Sequence, residues 1–257
     1  MRSSLSVAII THNEEANLPR TLASVQWADQ IVVVDAHSAD ATVALAQTAG
    51  AQTHLRDWAG FAAQKNFAIA QCTGDWVLSL DADEEVSAKL ALEIQRLLTL
   101  PETVDAYFLP RRNHFLGRAL KHGGFYPDAK LRLFRRGKGA FAERAVHETL
   151  RCDGAIGHLH GDLLHHAYPT LTSYIEHMNC YSTLGAEILV EQNRVSSSLP
   201  AFFWNVLLVP AATFIYNYKI RLGFLDGREG LLLHLYHAAY TSWKYAKAWE
   251  LDRARKA

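Results

Sequence analysis

The chain is expected to fold as an α/β domain, with a mainly parallel central sheet flanked by helices and a C-terminal apolar helical extension. Three observations lead there. Short, predominantly apolar runs at residues 6–10, 31–34 and 76–80 alternate with stretches of helical spacing. Runs of that length, apolar on both faces, suit strands buried between layers of helices, as in a parallel sheet. Each run ends abruptly in polar residues: Thr11, Asn13 and Glu14; then Asp35, Ser38 and Asp40; then Asp81 and Asp83. In sheets of this kind ligands gather beyond the carboxyl ends of the strands, so one site is expected along that edge.

The elements follow in order. Val7-Ala8-Ile9-Ile10 is a β-branched strand, and Leu18, Leu22, Val25 and Trp27 then fall at helical spacing. After the second strand, residues 41–49 form a helical stretch that closes at Gly50, a residue type suited to the left-handed position after a helix. Ser38 and Asp40 suit the start of that helix. Residues 51–55 fit a short strand and 61–70 a helix. The third apolar run is bounded by Gly74-Asp75 and followed by a helix over about 87–98, with Ser87 as its cap and Pro101 as its stop. From Asp105 the segments become shorter and more polar. Residues 130–136 alternate apolar and basic side chains, Leu131 and Leu133 against Arg132 and Arg135, which fits an antiparallel edge strand with cations on one face.

Composition narrows the function classes. The 257 residues suffice for one α/β domain plus an appended element. Twenty-six basic and twenty-six acidic residues balance, so bulk charge gives nucleic-acid binding no support. Cys72, Cys152 and Cys180 are scattered and suit a reducing compartment. The start runs into a strand without a signal-peptide pattern, and a cytoplasmic location is expected.

The chemistry centres on Asp81-Ala82-Asp83. Two carboxylates spaced i, i+2 at the end of a buried strand share a face and repel, unless a hard cation lies between them or one is protonated. An acidic strand-to-helix turn is the plain alternative. Gly-x-Gly-x-x-Gly and the P-loop pattern are both missing from the first half, so a nucleotide here would be gripped by side chains and metal. His158, His160, His165 and His166 fit no standard zinc spacing.

With these residues in view, the chain resembles the family 2 glycosyltransferases. The matching pieces are residues 7–15, Val32-Val33-Val34-Asp35 with Ser38-Ala39-Asp40-Ala41-Thr42, Gln64-Lys65-Asn66 and Leu80-Asp81-Ala82-Asp83-Glu84. The second half is similar to a narrower branch, the lipopolysaccharide core β-glucosyltransferases. That likeness rests on His122-Gly123-Gly124-Phe125-Tyr126-Pro127-Asp128, residues 131–136, Val146-His147-Glu148 and residues 221–227. Ala36-His37 departs from the small pair, such as Ser-Gly, that the family often has there.

The resemblance implies a GT-A nucleotide-diphospho-sugar transferase fold over residues 1–190, with a nucleotide-sugar-binding half (1–100) and an acceptor-side half (101–190). Residues 191–257 would be a membrane-associating or oligomerising extension. It implies that Thr11, Asn13, Glu14 and Asp35 contact the uracil and ribose of a UDP-sugar, and that Asp81 faces ribose and metal. Asp83 would ligate Mg²⁺ or Mn²⁺ against the two phosphates, with His165 completing the metal shell. Lys65 either reaches the base or a phosphate or is simply solvated, and Arg132 either clamps the diphosphate or is an exposed strand arginine. Inverting transfer requires a base for the acceptor hydroxyl. Glu148 is the first candidate and Asp128 the second; ion pairing of Glu148 with Arg144 or Arg151 is its plain alternative.

Residues 196–218 carry no charge, and 199–216 are mostly apolar and aromatic, a length at the lower edge for a transmembrane helix. Pro200, Asn205 and Pro210 argue against a straight span, and a second apolar, aromatic-rich helix is expected over 231–245. Aromatic and cationic residues beside apolar faces suit the lipid–water boundary, and a helical hairpin packed on the domain or on a second copy is the alternative. The expected activity is metal-dependent, inverting transfer of glucose from UDP-glucose to the inner core of lipopolysaccharide, by a peripheral protein at the inner face of the cytoplasmic membrane. A polyprenyl phosphate or protein acceptor, and a non-catalytic nucleotide-sugar-binding protein, are the alternatives.

Overall fold

Seven consecutive buried residues define β1 (Leu5–Thr11), the strand around which the rest of the computed structural model is built. It describes residues 2–101, 103–142 and 149–256. The chain continues through α1 (Leu18–Ser24), β2 (Gln30–Asp35), α2 (Thr42–Thr48), β3 (Gln52–Leu55), α3 (Phe61–Ala70), β4 (Trp76–Asp81), β5 (Glu84–Val86) and α4 (Ala88–Leu97). Then follow β6 (Ala106–Phe115), β7 (Arg118–Ala119), β8 (Asp128–Arg135), β9 (Gly139–Ala142), β10 (Thr149–Cys152), β11 (Ile156–His158), β12 (Leu163–Tyr168) and α5 (Leu171–Glu191). Two compact units result: Met1–Arg112 with Asp128–His166, and Asn113–Pro127 with Ala167–Ala257. The boundary proposed at residue 190 falls inside the second unit, at the end of α5.

In the first unit the main sheet runs β3-β2-β1-β4-β8-β6-β12-β5. The β3-β2-β1-β4 half is parallel, and β8 pairs antiparallel with both β4 and β6. Alternation along β1 sends Leu5, Val7 and Ile9 into one apolar layer with Leu22 of α1 and Leu90 and Ile94 of α4. Ala8 and Ile10 go to the other face, with Val32, Val34, Ala68 of α3 and Phe141 of β9. Both faces are therefore covered, as the continuous apolar runs require. Ser87 caps α4 by accepting from the Leu90 amide at 3.3 Å, and Gly50 follows α2 with φ of +80°.

The expected edge strand at 130–136 is corrected: β8 is interior, between β4 and β6. Arg132, on β8, is buried with it. Alternation of apolar and basic side chains does not separate an edge strand from an inner strand whose cation is neutralised by carboxylates, and the latter applies here.

In the second unit, α5 begins with a capping box between Thr170 and Ser173. It packs Tyr174 and Met178 against Phe115, Leu120 and Leu233. Leu233 lies on the long C-terminal helix Gly227–Lys256. Leu199–Ile220 is a 22-residue helix with mean hydropathy 1.6, long and apolar enough to cross a membrane, and it is mostly exposed. Pro210 does not break it. Proline lacks the amide that would serve the carbonyl four residues back, that of Val206. The helix widens to π geometry over Trp204–Leu208, and Ser242 Oγ of the C-terminal helix donates to the Val206 carbonyl at 2.8 Å. Ser242→Ala should therefore cost about 1 kcal/mol in urea unfolding, from the carbonyl left unserved. In a Pro210→Ala background, where residue 210 regains its amide, the same change should cost distinctly less.

Candidate active site

Register brings the polar strand ends together. Thr11 lies beside Asp35 in the β1–β2 ladder, and Ile10 beside Asp81 in the β1–β4 ladder. Asp35, fully buried, accepts from Thr11 Oγ1 at 2.8 Å and from the Ser38 amide and hydroxyl at 2.7 and 2.5 Å. Asn13, with φ of +55°, gives its amide to Ser38 Oγ and accepts from the Ala39 amide through Oδ1. Asp35 thus shapes the two turns, and Asn13 stands exposed at their rim. Asp40 accepts the amide and hydroxyl of Thr42, and the Thr42 hydroxyl interaction leads in holding its carboxyl below the usual range. Glu14 is pushed the other way: burial raises its pKa, Asp83, Asp40 and Asp81 add to that, and only the Asn17 amide opposes. The strand ends therefore form a negative field.

Beneath that edge runs an alternating chain of charges. Lys65 of α3 places Nζ 2.7 Å from Asp81 Oδ1. Arg132 Nη2 lies 2.6 Å from Asp81 Oδ2 and 2.8 Å from Glu84 Oε1. Arg111 of β6 reaches Glu84 at 3.3 Å and Asp128, its partner across the β6–β8 ladder, at 2.6 Å; Lys130 closes the chain on Asp128 at 2.9 Å. Glu84 is fully buried and also accepts the Asp81 amide at 3.0 Å. Burial alone would raise the pKa of Asp81, but Arg132 and Lys65 overcome it and hold the carboxyl well below the usual carboxylate range. The same carboxylates outweigh the burial of Arg132 and raise its pKa. Burial of Asp128 is likewise outweighed, by Arg111 and Lys130, so it stays ionised and is a weakened base.

Lys65 is not solvated: it is buried against Asp81 and the Phe141 ring. Arg132 is not the exposed arginine that a strand position suggests. Both oxygens of Asp81 face cations. Asp83 is different. Its Oδ2 lies 3.3 Å from His165 Nε2, and both side chains are partly exposed. Burial would raise the Asp83 pKa, and the hydrogen bond and charge of His165 bring it below the usual value. β12 delivers His165 because it pairs antiparallel with β5, placing His165 opposite Glu84.

The other histidines disperse. His166 meets Glu85 at 2.9 Å, His158 stacks on Phe108, and the His160 backbone amide is held by Glu93. Among the described residues no group of three or more His, Cys, Asp or Glu side chains converges to hold a metal. Asp83 and His165 supply two donors, which suits an ion that completes its shell with substrate phosphates and water. Glu148 lies outside the described residues. Sequence reasoning missed Glu84 and Arg111. A carboxylate directly after Asp81-Ala82-Asp83 looks like part of an exposed acidic turn, and nothing in strand alternation announces a cross-strand arginine.

The mixed sheet, parallel over β3-β2-β1-β4 and antiparallel beyond, is that of the GT-A fold. Residues 6–148 match the family model described as Glycosyl transferase family 2. The lipopolysaccharide core biosynthesis glycosyltransferase LpsC of Rhizobium meliloti (strain 1021) is 34% identical over 230 residues, spanning 87% of this chain and 82% of that protein. The uncharacterized glycosyltransferase RT0209 of Rickettsia typhi is 31% identical over 265 residues, spanning 96% and 87%. The fold is similar to that of mannosyltransferase PcManGT from Pyrobaculum calidifontis in complex with GDP-Man and Mn²⁺, with a TM-score of 0.54 at 16% identity over 100% of this chain and 89% of that one. The chain belongs to glycosyl transferase family 2.

Removing one member of the buried ion chain leaves the others uncompensated. Glu84→Leu should cost about 3–5 kcal/mol in urea unfolding. Adding Arg132→Met should cost less than the sum of the single changes.

Proposed function

We propose that this chain transfers glucose from UDP-glucose, with inversion, to the inner core of lipopolysaccharide, acting at the inner face of the cytoplasmic membrane. The observation that carries the transfer reading is Asp83 paired with His165 at the strand-end edge, in the negative field of Glu14. The lipopolysaccharide acceptor is supported by the likeness to LpsC. The exposed apolar helix Leu199–Ile220 supports peripheral contact with the membrane in which such an acceptor is embedded. The choice of glucose rests on the resemblance of residues 122–128 and 221–227 to the core β-glucosyltransferases.

Asp83 and His165 would hold Mg²⁺ or Mn²⁺, whose chemistry is to neutralise the charge that builds on the leaving diphosphate. Asn13 and Glu14, on the turn after β1, would contact the nucleoside, with Thr11 and Asp35 beneath them holding that turn. Asp81, fixed by Lys65 and Arg132, anchors the end of β4 so that Asp83 stays in place. Of the two candidates for the base, Glu148 is preferred. Asp128 is tied to Arg111 and Lys130 and loses basicity for that reason.

Calorimetric titration of the protein with UDP, GDP, CDP and dTDP, each with and without Mn²⁺, tests the reading. UDP alone should bind tightly, and only with metal; Asp83→Ala should abolish the metal dependence. Glu148→Gln should leave UDP affinity unchanged while lowering turnover by about 10²–10⁴-fold. Metal-independent binding, or no nucleotide binding at all, would overturn the proposal.

A further inference from the structure

Two stretches that the donor site leaves unused meet in the second unit: Lys121 with residues 122–127 of the 122–128 motif, and residues 221–227. Asp226, almost fully buried, accepts the backbone amides of Lys121 and His122, at 3.1 and 2.9 Å, and His122 Nδ1 at 2.9 Å. The Gly123 amide donates to the Arg221 carbonyl at 2.8 Å. Gly123 and Gly124 have φ of +66° and +86°, and neither has room for a side chain. A Cβ on Gly124 would come within 2.1 Å of the Arg221 guanidinium, and one on Gly123 within 2.1 Å of the buried His234 ring. The turn is therefore bare backbone closed against an arginine.

The charge there is left over. Asp226 spends its oxygens on two amides and the near side of the His122 ring. Among the described residues no carboxylate pairs with Lys121 or with Arg221, both exposed. Directly after Arg221 come three exposed apolar side chains, Leu222 at 46%, Phe224 at 42% and Leu225 at 49%. Leu222 sits in the left-handed region at φ +60°, a costly conformation for a leucine. Strain combined with exposure gives no return in packing within this chain.

Cations at the rim of a small apolar projection are complementary to a bilayer, whose phosphates lie at the level of the cations and whose acyl chains lie below. We infer that Lys121, His122 and Arg221, set about the Gly123–Gly124 turn, bind the phosphate of an anionic membrane lipid, with Leu222, Phe224 and Leu225 entering the acyl region beside it. This deepens the proposed function and rests on its membrane contact: it names the headgroup chemistry that the second unit recognises. Asp226 acts on the site by positioning the turn and the His122 ring.

The test is cosedimentation of the full chain with vesicles of phosphatidylcholine alone and of phosphatidylcholine mixed with phosphatidylglycerol. Wild type should prefer the mixed vesicles, and the preference should shrink as salt is added. Lys121→Gln and Arg221→Gln should each raise the lipid concentration for half-binding to mixed vesicles about fivefold, and Arg221→Lys should recover most of that loss. A joint change of Leu222, Phe224 and Leu225 to Ser should weaken binding to both vesicle types. Thermal unfolding of each variant checks the fold, and Lys121→Gln, at an exposed side chain, keeps the test valid if the Arg221 changes disturb the turn. Equal wild-type binding to both vesicle types, or charge variants that bind like wild type, would overturn the phosphate site while leaving the membrane contact standing. No binding to either vesicle type would overturn both. Loss of binding to mixed vesicles with millimolar inorganic phosphate, at constant ionic strength, would overturn the lipid as the source of the phosphate.

Discussion

Glu84 has no contact with water, and a carboxylate in that position is tolerable only if its charge is met where it stands. Arg132 and Arg111 meet it, and each comes from a different strand. Arg132 in turn requires Asp81, and Asp81 engages Lys65. The chain of charges therefore ties the end of β4, the start of β5, two antiparallel strands and α3 to one another. Shifting β8 by one residue would send Arg132 to the opposite face of the sheet and leave Asp81 and Glu84 without it. Register at the junction of the parallel and antiparallel halves is fixed by electrostatics as much as by the apolar layers.

That constraint has a chemical consequence. Because two cations hold Asp81 ionised and occupied, Asp81 and Asp83 stand in different environments. One carboxylate is committed to the scaffold, and the other is turned toward His165 and the strand-end edge. Carboxylates that close would otherwise raise each other's pKa. Asp81, kept charged from below, pushes the Asp83 pKa up, and the hydrogen bond and charge of His165 outweigh that push. Asp83 therefore owes its lowered pKa to His165, as Asp81 owes its own to Arg132 and Lys65.

Much of this was legible in the sequence. Continuous apolar runs announced β1, β2 and β4, helical spacing with Ser87 announced α4, and the polar strand ends announced the cluster that register brings to one edge. What could not be read was the fate of charge. Lys65, Arg132 and Glu84 have the composition of a solvated surface, and burial becomes affordable only through partners distant in sequence, such as Arg111 opposite Asp128. Local periodicity carries no information about such pairs. The histidines were misleading for a related reason: adjacent positions on β12 point to opposite faces, so His165 and His166 find different carboxylates.

Pro210 shows the same limit in the helical part of the chain. Read locally, it interrupts an apolar segment, because the Val206 carbonyl loses its donor. In the folded chain that carbonyl is taken by Ser242, thirty-six residues away, and the helix continues to Ile220. The repair does more than rescue a helix. It bonds the exposed apolar helix to the C-terminal helix, whose first residue directly follows Asp226, and Asp226 holds the amides of Lys121 and His122. The apolar surface, the cationic turn and the strained Leu222 thus belong to one continuously bonded element. A local defect in the sequence has become a point at which the two helices are bonded.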